Sequence, residues 1–67
     1  MAEQIRNATA LLRRKQVEAL TGLARSTLYK MIGESKFPRP VQITDGGAVA
    51  WRSDAVAAWI DSRVSAN

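Results

Sequence analysis

Backbone breakers cut the middle of this chain into pieces too short to stand alone, and nothing else constrains its fold as strongly. Gly22, Gly33, Pro38, Pro40 and the pair Gly46-Gly47 punctuate the apolar pattern. Proline lacks the amide hydrogen a helix needs and clashes with the preceding turn. Glycine readily takes the left-handed backbone that ends a helix. An isolated helix shorter than about 12 residues is marginal in water, so the pieces must dock on one another. A chain of 67 residues has room for one such assembly and no second domain.

Reading along the chain, residues 1–10 show no useful periodicity and are expected to form a flexible N-terminal segment, with a folded domain over 11–65. Leu11 and Leu12 allow a short strand. From Lys15 to Thr21, Val17 and Leu20 share a helical face, and Gly22 ends that helix. A second helix is predicted from Arg25 to Glu34, with Leu28, Met31 and Ile32 spaced to face a core. Phe37 and Arg39 each precede a proline and are pushed toward extended backbone, so Phe37-Pro38-Arg39-Pro40 reads as a stiff connector. Val41 and Ile43, then Val49 and Trp51, alternate as strands do, and the intervening Asp45-Gly46-Gly47 supplies the positive φ of a tight hairpin. Their apolar set is expected to face inward. Ser53 reads as an N-cap with Asp54 at the positive end of the helix dipole, and Val56, Trp59, Ile60 and Val64 form a third helical stripe. The order is (β)-α-α-β-β-α: an α+β fold, mostly helical, with the pattern of a small winged helix-turn-helix.

Composition then removes whole classes of function. With no Cys and no His, disulfides, the usual zinc sites and nucleophile–histidine catalysis are all excluded. So small a core leaves little room for a substrate pocket, typically about 300–1,000 Å³, and neither an enzyme nor a cofactor is expected. No secretory leader and no run of about 20 apolar residues are read in these 67 residues, so a cytoplasmic protein with no membrane partner is expected. The net charge of +4 is unevenly distributed. Residues 13–39 carry Arg13, Arg14, Lys15, Arg25, Lys30, Lys36 and Arg39 against Glu18 and Glu34, a net +5, while the remainder sums to −1. A polyanion is the natural partner for such a half, although a merely solvated face gives the same count.

Two short helices around Gly22 fit a helix-turn-helix, whose second helix enters a DNA major groove with its N-terminal half against base edges. Leu28 and Ile32 point inward, leaving Arg25, Ser26, Thr27, Tyr29 and Lys30 for bases and phosphates. The Arg13-Arg14-Lys15 run just ahead of the first helix, Arg14 and Lys15 above all, and Lys36 and Arg39 around the connector, are candidates for gripping phosphate. The hairpin supplies a candidate wing along the neighbouring minor groove, with Gly46 and Gly47 allowing close backbone approach and Arg52 or Thr44 in reach of the DNA backbone. Asp45 at its tip repels phosphate unless it turns inward to brace the loop. Trp51, Trp59 and Phe37 sit on apolar stripes and read as core rather than as base-stacking platforms. Glu18 and Glu34 read as solvated helix positions.

Gly22-Leu23, Ser26-Thr27-Leu28-Tyr29, Phe37-Pro38-Arg39-Pro40 and Ala50-Trp51-Arg52 followed by Trp59 occur in an order that resembles the AlpA family of small phage and prophage regulators. Members are MerR-like winged-helix DNA-binding proteins related in fold to phage excisionases. The resemblance implies that Arg25, Ser26, Thr27, Tyr29 and Lys30 lie on a recognition helix and Asp45 to Ala48 on a wing. It implies a sequence-specific, double-stranded-DNA-binding transcriptional regulator of a phage or integrated element, acting on integrase or excision genes at the nucleoid. Its partners would be DNA, a further copy of itself as a dimer or cooperative array, and an integrase. MerR proteins carry an effector domain for which 67 residues leave no room, so no small-molecule effector is expected. The rival readings are an excisionase-like directionality factor that bends DNA, and a protein-binding inhibitor of a host regulator. The chain departs from the family pattern at Ala24, where Ser usually caps the recognition helix. Loss of such a cap costs about 1 kcal/mol unless Ser26 and Thr27 take over.

Overall fold

The computed structural model describes residues 9–64. Six elements follow in order: β1 (Leu11–Leu12), α1 (Arg14–Thr21), α2 (Arg25–Gly33), β2 (Val41–Gln42), β3 (Val49–Arg52) and α3 (Ser53–Val64). The strands form one antiparallel sheet in the order β1-β3-β2. Three helices on a small antiparallel sheet make an α+β fold of the winged-helix kind, as the breaker pattern predicts. The first eight positions of the expected flexible segment, and residue 65 of the expected domain, lie outside the described residues. Ala10, at that segment's end, is held both ways by Ser53: its N–H donates to Ser53 Oγ and its C=O accepts the Ser53 N–H, each at 2.8 Å.

Local chemistry sets the boundaries. Gly22 takes φ 77° and ψ 7° at the end of α1, and its N–H reaches the Glu18 carbonyl at 2.8 Å. Thr21 completes that turn, donating its hydroxyl to the Val17 carbonyl and accepting the Leu23 N–H. Gly33 is the last residue of α2, but the left-handed step comes two residues later, at Ser35 with φ 61°. Both Ser35 and Lys36 bond back to α2, on the Ile32 and Met31 carbonyls.

Val17, Leu28, Ile32, Phe37, Trp51 and Val56 form the core, with Leu12, Leu23, Met31, Trp59 and Ile60 packed around it. Trp51, Phe37 and Trp59 therefore serve packing, as their stripes imply. Three expectations need correcting. Leu20 does not share the buried face of Val17; it is 57% exposed. Val17 is the one buried residue of this eight-residue helix. Val41 and Ile43 are exposed rather than inward. Val41 pairs with Ala50, and Leu11 with Arg52, so they share the sheet face opposite the one that carries Trp51 and Leu12. Lastly, only Gly47 has positive φ, at 97°, whereas Gly46 does not. The Val64 side chain lies outside the described set.

Candidate nucleic-acid interface

Gly22 sends the chain out of α1, and Leu23 settles against the core, so α2 starts at a fixed angle to the helix before it. Its N-cap residue is Ala24, already extended at φ −72° and ψ 159°, and no side chain caps it. Ser26 and Thr27 do not take over that duty. The first helical bond runs from the Leu28 N–H to the Ala24 carbonyl at 2.9 Å. Burying Leu28 and Ile32, one turn apart, turns the opposite face outward. Arg25, Ser26, Thr27, Tyr29 and Lys30 are all exposed, Arg25 and Tyr29 beside the buried stripe and Ser26, Thr27 and Lys30 farther round the helix. Ser26 and Lys30 make one i, i+4 row, and Arg25 and Tyr29 make a second beside it. Tyr29 is 42% exposed, with its ring edge-on to buried Trp51 at 6.3 Å between centroids. That contact holds the ring while leaving part of it on the surface.

The candidate cations divide by their partners. Arg14 pairs with Glu18 along α1, and Lys36 lies 3.6 Å from Glu34. Arg52 grips Asp54 with two bonds, Nε to Oδ1 at 3.1 Å and Nη2 to Oδ2 at 2.9 Å. The hydrogen bond from Arg52 is the main reason the Asp54 carboxyl titrates below its ordinary range, and Asp54 in turn raises Arg52. Lys15, Arg25, Lys30 and Arg39 are exposed and have no acidic partner among the described residues. Arg13 shares that condition, although sequence reasoning preferred its neighbour Arg14 as the phosphate ligand. The i, i+4 spacing of Arg14 and Glu18 was the available signal.

The hairpin between β2 and β3 is braced from within. Gly47 N–H reaches the Thr44 carbonyl at 3.2 Å, Ile43 N–H the Ala48 carbonyl at 2.9 Å, and Thr44 Oγ1 accepts the Ala48 N–H. Gln42 Nε2 donates to the Thr44 carbonyl from the adjoining strand. Thr44 and Gln42 thus do the work assigned to Asp45, which is exposed. Thr44 is the only residue of the tip whose side chain reaches back across the loop to bond the main chain. Gly46 and Gly47 are exposed at the tip, and residues 40–51 hold no cation at all. Arg52 stands at the base of the hairpin.

Beyond α2, the connector is pinned by both tryptophans. Trp51 Nε1–H donates to the Pro38 carbonyl at 2.9 Å and Trp59 Nε1–H to the Lys36 carbonyl at 2.8 Å. A buried indole N–H needs an acceptor, and that requirement was the one sequence clue to these bonds. Phe37 is buried between them, edge-on to Trp59 at 4.9 Å. Lys36 and Arg39 are left exposed on a fixed strip of chain. No group of His, Cys, Asp or Glu among the described residues is arranged to hold a metal ion, and none of their helices is long and apolar enough to cross a membrane.

An exposed, uncapped helix with unpaired cations beside it thus stands on a winged-helix frame. Residues 10–64 match the prophage CP4-57 regulatory protein (AlpA) family, and the chain belongs to that family of phage regulatory proteins. It is also 41% identical over 54 residues to the uncharacterized protein ORF88 of Enterobacteria phage P4, a stretch covering 81% of this chain. That stretch spans 60% of the relative's own length.

Proposed function

We propose that this protein is a sequence-specific double-stranded-DNA-binding transcriptional regulator of a phage or integrated element, acting in the cytoplasm at the nucleoid. α2 is the reading helix. Arg25, Ser26, Thr27 and Tyr29 address base edges in the major groove, where Arg recognises guanine bidentately and hydroxyls bond several acceptors. Arg13, Lys15, Lys30 and Arg39 grip the phosphates that fix register. Arg14, Lys36 and Arg52 join only by giving up a carboxylate, so their contributions are smaller. The wing approaches the backbone through the small tip at Gly46 and Gly47, without charge.

The observation that carries this reading is that Arg25, Ser26, Thr27, Tyr29 and Lys30 on α2 are all exposed, with neither Arg25 nor Lys30 paired to an acidic side chain among the described residues. Integrase or excision genes are the proposed targets, in keeping with a family of prophage regulatory proteins. The test is selection from a random duplex pool by the purified chain. A recurrent short site among retained duplexes supports the proposal. Retention without any preferred sequence leaves a non-specific binder, and no retention defeats the proposal.

A further inference from the structure

The connector after α2 is tied at three backbone groups to three different elements. Lys36 N–H bonds the Met31 carbonyl of α2 at 2.8 Å. The Lys36 carbonyl accepts the indole N–H of Trp59 on α3, and the Pro38 carbonyl accepts that of Trp51 on β3. Between these ties, Phe37 is buried against the Trp59 ring. Pro38 and Pro40 lock their own φ and hold Phe37 and Arg39 extended. A strip so constrained is held as one piece, so the tie at Lys36 acts together with the tie at Pro38 to set where Arg39 stands. The Trp59 ring is itself held from the far side, with the Arg63 guanidinium 4.7 Å from its centroid.

We propose that Trp59 is a positioning residue for DNA binding: its indole bond to the Lys36 carbonyl sets where Arg39 stands relative to the phosphate backbone. This rests on the reading of the protein as a duplex-DNA binder. Trp59 lies on α3, 23 residues from the carbonyl it holds and on an element to which no DNA contact is assigned. Its hydrogen-bonded link to the candidate DNA face runs through the connector. Trp51 holds the next alternate carbonyl but also fills the core, so its two roles cannot be separated by substitution. Trp59 is only half-buried, which makes the separation possible.

The test compares the full-length parent, W59F, R39Q and the W59F/R39Q double variant on one duplex across a salt series. Phenylalanine keeps a ring beside Phe37 while removing the N–H donor and part of the indole's volume. W59F should retain a cooperative melt, bind about three- to tenfold more weakly at low salt, and lose about one unit of salt slope, as expected when one phosphate contact is lost. The double variant should match R39Q, because the two substitutions act on one contact. A parental slope in W59F, or losses that add in the double variant, overturns the proposal. Should W59F not fold, the two indole N–H resonances of the parent supply the readout. The Trp59 signal should shift when duplex is added, and an unmoved signal overturns the role. A parent with no salt-dependent duplex binding removes the DNA reading itself; a parent that binds beside an identical W59F removes only the part given to Trp59.

Discussion

The half of the molecule built from α1, α2 and the connector differs from the half built from the hairpin and α3 less in amount of charge than in what the charge is tied to. In the first half five cations, Arg13, Lys15, Arg25, Lys30 and Arg39, stand exposed without a carboxylate, and the N-terminus of α2 is open. In the second half Arg52 is closed onto Asp54, Arg63 lies over the Trp59 ring, the loop is braced on Thr44, and both indoles donate to backbone carbonyls. The lesson is that net charge by segment is a poor map of an electrostatic surface. Partnering decides which cations are available to a polyanion. An exposed ion pair adds little to stability, a median of about 0–1 kcal/mol, yet it opposes any new anion that competes for the same guanidinium. Under the proposed function, the second half serves as the frame and the first half as the working face.

The strongest way to break that division is to attack the frame. Trp51 is fully buried, bonds Pro38, and touches Tyr29. Trp51→Ala should cost about 3–5 kcal/mol, close to all the stability a domain of this size has. Circular dichroism should show an unfolded chain at room temperature. A cooperative melt near the parent's would mean that the frame does not hang on this residue.

Tyr29→Ala tests the working face at its border with the frame. Cognate binding should weaken by about 1–3 kcal/mol, with a narrower advantage over scrambled duplex. Equal loss on both duplexes would move Tyr29 from reading to gripping. Next in size is Ala24→Ser. The backbone there already has the extended N-cap conformation, so serine needs no rearrangement to bond the open amides of α2. A gain of about 1 kcal/mol is expected, which raises the melting temperature of so small a domain by about 4–8 °C. No gain would show that those amides are already satisfied in solution. The smallest effect distinguishes free from partnered cations. Arg39→Ala should make the salt slope shallower by about one unit, whereas Arg52→Ala should leave it nearly unchanged. Equal effects would erase the contrast between the two halves.

Much of the frame could be read from the residue order, because the signals are local. Gly22 needs a left-handed backbone, Leu28 and Ile32 recur at helical spacing, and the prolines stiffen whatever precedes them. What escaped depends on pairing between distant segments. The exposure of Val41 and Ile43 follows from the register against β3, which places them opposite the Trp51 face; alternation alone does not say which face is covered. Leu20 is exposed because a short helix makes one deep contact, at Val17. For the site, periodicity was enough to find the outward face of α2. The closing of Arg52 onto Asp54 and the tryptophan bonds to Lys36 and Pro38 required the fold. Those bonds determine which candidates remain available.

The central claim is that the unpaired cations of the first half bind duplex DNA, and the salt dependence of that binding tests it most directly. If Arg25 is spent on a base and Arg13, Lys15, Lys30 and Arg39 each neutralise one phosphate, log K should fall against log[salt] with a slope of about −3.6. A slope near zero would contradict the account.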